Sequence, residues 1–115
     1  MGVLASRIAA KREAAERRSV DVEEWGDDGD PVTLYFTDVT ALDVQKIERK
    51  HPNFMAKTTM AAMVETLILK CEDAAGEPAF TLEDKPTLMR EPIGVIAKAF
   101  GAVFMATPVE EHEKN

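Results

Sequence analysis

The sequence has little of what most active sites are built from. It holds one cysteine, Cys71. A lone thiol excludes a disulfide within the chain and any Cys-rich zinc site. There are two histidines, His51 beside a proline and His112 near the C-terminus, and neither has ligand spacing to a pair of carboxylates or thiols. No Gly-rich phosphate loop occurs, and Ser6 and Ser19 have no base near them in the sequence. No catalytic or cofactor-binding grouping is expected, and the sequence does not read as an enzyme. Apolar runs are short: none reaches the length of about 18 residues that a membrane-spanning helix needs. The N-terminus is basic but lacks the continuous apolar stretch of a secretory signal, so a cytoplasmic protein is expected.

What is present is one domain's worth of globular chain. The 115 residues are 45% hydrophobic and 30% charged, which separates them from disordered sequences. The net charge is −7, and an acidic surface repels phosphate backbones, so nucleic-acid binding is disfavoured. The charge is unevenly spread. Residues 1–18 sum to +3 through Arg7, Lys11, Arg12, Arg17 and Arg18, whereas residues 19–30 hold six acids and no base. The basic segment reads as a solvated helix, or as an arm that docks on an acidic partner or a neighbouring copy.

Periodicity gives an α+β fold, mostly α-helical, with four main helices and one N-terminal β-hairpin. Residues 3–18 are rich in Ala, Arg, Glu and Lys, strong helix formers with only Val3, Leu4 and Ile8 as large apolar groups. Residues 19–25 and 32–37 alternate apolar and polar and predict two strands, joined by a loop spanning Gly26–Pro31. The loop acids lack the alternation and terminal Glu of a calcium motif. Thr40 opens a helix with capping-box spacing to Asp43, ending at His51-Pro52. Residues 58–72 form the clearest amphipathic helix, with Met60, Met63, Val64, Leu67, Ile68 and Cys71 on one face. Cys71 therefore reads as a core residue. Thr81 and Asp84 have capping-box spacing at a short helical turn, and Pro92 is expected at the first position of a last helix.

That last helix, residues 92–106, has Lys98 as its only charge. A helix apolar nearly all round is either central in its own core or covered by something else. A small domain has difficulty enclosing a helix completely. Ile93, Val95, Ile96, Phe100, Val103 and Phe104 are therefore the candidate partner-binding residues, with Gly94 and Gly101 offering a close approach to another backbone. The expected organisation is a basic arm (1–18), a single α+β domain (19–106) and a charged tail (107–115).

The order of features also resembles a known family. After the basic Ala-rich helix come Val20-Asp21-Val22-Glu23-Glu24-Trp25-Gly26 and Val32-Thr33-Leu34-Tyr35-Phe36, then a helix opening at Thr40-Ala41. Leu67-Ile68-Leu69, the acid-rich turn Glu72-Asp73-Ala74-Ala75-Gly76-Glu77-Pro78 and Phe80-Thr81-Leu82-Glu83-Asp84 follow. Over residues 3 to 105 this is similar to the tail assembly chaperones of long-tailed phages and prophages. The resemblance implies a non-catalytic, largely helical, self-associating protein without cofactor. Such a protein coats the tape measure protein in the host cytoplasm, keeps it soluble, helps recruit tail tube subunits and leaves before the virion is complete. A structural tail completion or connector protein, retained in the virion, is the alternative.

Overall fold

A computed structural model describes residues 2–104. The fold is α+β and mostly helical, as the periodicity predicts. The described residues form five helices, one of them short, and a two-stranded antiparallel sheet.

The hairpin consists of β1 (Arg18–Asp27) and β2 (Asp30–Phe36). Its register pairs Val20 with Leu34 and Val22 with Val32, so the apolar positions share one face. Val22, Leu34 and Phe36 are fully covered there. On the other face Thr33 donates from its hydroxyl to Asp21 at 2.8 Å. The joining loop is shorter than the six turn-forming residues suggest. Pairing resumes at Asp27 and Asp30 after an irregularity in β1, which leaves Asp28 and Gly29 as the turn. Gly29 sits at φ 73°, where a side chain is disfavoured.

The first helix, α1 (Val3–Ala14), ends four residues before its predicted limit, and Arg18 already belongs to β1. None of its residues is buried. Helix α2 (Ala41–Glu48) has the capping box: Thr40 Oγ1 accepts from the Asp43 backbone N–H, and the Asp43 carboxylate accepts from that of Thr40. Helix α3 (Met60–Lys70) is capped by Thr59. It is buried on a wider arc than the predicted stripe. Val64, Leu67 and Cys71 face the main core, while Ala62 faces a second cluster. Thr66, which is not one of the stripe residues, is fully buried and donates to the Ala62 carbonyl at 2.8 Å, which satisfies its hydroxyl.

The segment after α3 returns to the sheet. Glu72 exchanges two backbone hydrogen bonds with Tyr35, at 2.8 and 2.9 Å, on the edge of β2 away from β1. Asp73 then closes the acid-rich turn by accepting from the Ala75 and Glu77 backbones. A 3₁₀ turn (Leu82–Asp84) runs into the short α4 (Lys85–Leu88), so Pro86 lies within the helical segment. Pro92 stands one residue before α5 (Ile93–Phe104) rather than inside it, and its carbonyl accepts from Val95 and Ile96.

Helix α5 packs against α3 and β1 and is the centre of the core. Val95, Ile96, Ala99 and Val103 are buried against Val22, Leu34, Leu67 and Leu88. Each large side chain so buried contributes about 1.5–3 kcal/mol. Phe54, from the segment between α2 and α3, is fully enclosed with Ile47 and Ala62. It meets Phe100 and Phe104 edge-on, with centroids 6.4 and 5.6 Å away. The nearly uncharged helix is thus covered chiefly by its own chain, from the hairpin, from α3 and from Phe54. The predicted charged tail (107–115) and the last two positions of the predicted helix lie outside the described residues.

Candidate protein-binding surface

Five of the six candidate residues on α5 do not face solvent freely. Val95, Ile96 and Val103 are in the main core, and Phe100 and Phe104 are half-buried around Phe54. They hold the fold together instead of presenting a surface. Only Ile93, at the first turn, is exposed, at 73%. No backbone of this chain approaches Gly94 or Gly101: a side-chain carbon built on either meets nothing within 4 Å.

Among the described residues the exposed apolar surface includes two features outside α5, beside scattered side chains such as Leu42, Met55 and Leu82. One is a groove of about 520 Å³ between the hairpin, the turn after α3 and α4. Trp25, Val32, Leu34, Pro78, Phe80 and Leu88 line it. Leu34 and Leu88 are buried and form its floor. Trp25 stands edge-on to Phe80, with centroids 5.9 Å apart and an interplanar angle of 81°. The indole N–H of Trp25 donates to the Glu91 carboxylate, which fixes the ring and leaves its apolar body toward the groove. Glu72, Asp73 and Glu91 supply carboxylates to the walls. An open apolar trough of this kind accepts the apolar stripe of a helix or an extended segment. Sequence spacing does not reveal it, because its aromatic residues lie 55 positions apart and are joined only by the return of the chain to the edge of β2.

The other feature is α1. Val3, Leu4 and Ile8 are 85, 65 and 57% exposed. The helix is tied to the body at its C-terminal end alone. Arg12 pairs with Asp38 at 3.2 Å, and beyond the extended Ala15 the Arg17 guanidinium is held by Glu72 and the carbonyls of Asp73 and Ala74. Arg17 also covers the Tyr35 ring at 4.8 Å.

Two cations, Lys50 and Lys85, and the His51 imidazole converge on the largely covered Glu65. Burial pushes the Glu65 carboxyl up, but hydrogen bonds from Lys85 and His51 and the nearby charges outweigh it and bring it to about 2. Burial likewise pushes Asp43 up, and Lys70 with the Thr40 backbone more than reverses it. Burial and the charge of Glu72 push the Cys71 thiol up to about 12, so it is a poor nucleophile. Among the described residues no group of three or more His, Cys, Asp or Glu is placed to hold a metal ion. No described helix is long and apolar enough to cross a membrane. In comparisons with known proteins, no family model, no curated protein and no solved structure matches the chain.

Proposed function

We propose that this chain is a phage tail assembly chaperone. It binds the tape measure protein in the host cytoplasm, keeps it soluble while tail tube subunits are recruited, and is absent from the mature virion. It acts without catalysis, cofactor or nucleic acid. The observation that carries the reading is the meeting of Trp25 and Phe80. Each belongs to one of the segments on which the family resemblance rests, and their contact builds an open apolar groove. A holdase needs apolar surface to cover that of its client and net charge to keep the complex dissolved. The groove supplies the first, and the charge of −7 the second.

Co-expression with a tape measure protein is the direct test. The client is expected to become soluble and to co-purify. Truncating an aromatic anchor of an interface costs about 2 kcal/mol or more, so Phe80→Ala should lower client affinity roughly thirtyfold. A client that stays insoluble, with nothing co-purifying, refutes the proposal. Recovery of the chain in purified virions by mass spectrometry assigns it instead to the tail completion or connector class.

A further inference from the structure

We infer that an extended segment of a partner adds to the free edge of β2, antiparallel to it, with apolar side chains in the Trp25–Phe80 groove and basic residues between them. The inference rests on the client reading of that groove and adds the conformation and chemistry of the segment held there.

The hydrogen-bond ladder identifies the edge. The backbone N–H and C=O of Tyr35 both bond to Glu72, so neither faces β1. In an antiparallel pair, residues that bond across the ladder alternate with residues that do not. The register from Arg18–Phe36 to Val22–Val32 is unbroken. Leu34 and Val32 therefore bond to β1, and the N–H and C=O of Thr33, like those of Tyr35, point away from it. Among the described residues no backbone group outside the hairpin meets them. The chain itself already uses this edge once, at Glu72, and for a single residue. At Asp73 it turns off, with the Asp73 N–H donating to the Glu77 carbonyl at 2.8 Å. The ladder thus stops at Tyr35. Thr33, the next bonding position, lies in the groove wall beside Glu72 and Asp73.

A strand laid against Thr33 sends its side chains alternately to the two faces of the sheet. The residue opposite Thr33 shares the face on which Thr33 meets Asp21. Its neighbours on either side enter the groove, over Leu34 and Leu88 and beside Trp25 and Phe80. No Lys, Arg or His lines that groove. Among the described residues, Asp73 and Glu91 in its walls form no ion pair, nor does Asp21 on the opposite face. The trough selects apolar residues at every second position, and the unpaired acids select bases. A helix bonds its backbone internally and would leave the Thr33 groups unmet, so the free edge selects an extended segment.

The test is a heteronuclear NMR titration of the isotope-labelled full chain with the peptide acetyl-Lys-Val-Lys-Val-Lys-Val-Lys-amide. The peptide carries no tape measure sequence, so this inference and the client reading fail separately. Saturable shifts are expected at the Thr33 amide and the Trp25 indole. The peptide residue opposite Thr33 is a lysine, with valines in the groove. Methylating the lysine backbone nitrogens should therefore weaken binding at least about tenfold. Methylating the valine nitrogens, which point away from β2, should leave it within about threefold. Replacing every lysine by glutamate should also cost at least about tenfold. The inference is overturned by the absence of a saturable Thr33 shift up to roughly 5 mM peptide. It is overturned equally if the two methylated peptides bind alike, if the glutamate peptide binds as well as the lysine one, or if the shifts fall on the β1 edge at Asp21 in place of Thr33.

Discussion

Gly26 shows how one residue sets the shape of the hairpin. A side-chain carbon there would stand 2.1 Å from the Asp30 carbonyl oxygen and 2.7 Å from the Pro31 Cα, both backbone atoms that cannot step aside. Gly26→Ala should therefore cost about 1–3 kcal/mol or more, read as a lower urea midpoint. Gly94→Ala in α5 has open space around it and relieves only chain entropy, so it should stabilise by roughly 0.5–1 kcal/mol in the same assay. Glu65 gives the pH dependence. Its carboxyl titrates near 4.5 in the unfolded chain and at about 2 when folded. The stability it contributes is complete above pH 4.5 and is lost as pH falls from there through 2. Glu65→Gln should melt lower than the parent at pH 7, and the gap should close on acidification. The buried Cys71 should resist thiol reagents in the native protein and react only in denaturant.

At the scale of elements, α1 and α5 invert what their compositions suggest about partners. The nearly uncharged α5 is the centre of the core, and the charged α1 is the one left bare. Leu67→Ala in α3 should cost about 2–5 kcal/mol, whereas Ile8→Ala in α1 should stay within about 0.5 kcal/mol; thermal unfolding separates the two. The hairpin and α3 were legible because alternation and a 3.6-residue stripe record which face is covered. The caps at Thr40 and Thr59 follow from local hydrogen bonding, and only the first was readable as a box. For α5 the pattern states how much surface is apolar but not what covers it. The answer depends on Phe54, a single aromatic residue in an irregular segment with no periodicity to flag it. Thr66 lies outside the predicted stripe, yet a threonine can enter a core once its hydroxyl turns back to a carbonyl, here that of Ala62. The groove was hidden for another reason: Trp25 and Phe80 were each visible as motif residues, but their contact is a product of topology.

At the scale of the whole molecule, the body is a self-sufficient fold carrying an appended arm. Removing residues 2–14 should leave the melting temperature nearly unchanged, because only the exposed Arg12–Asp38 pair is lost, worth about 0–1 kcal/mol. Arg17, beyond the extended Ala15, is the last fastening before β1. The segment between the two therefore behaves as a tether with a lock at one end. Limited digestion with trypsin should nick first at Lys11 or Arg12, shedding a short basic peptide and leaving the rest folded and resistant.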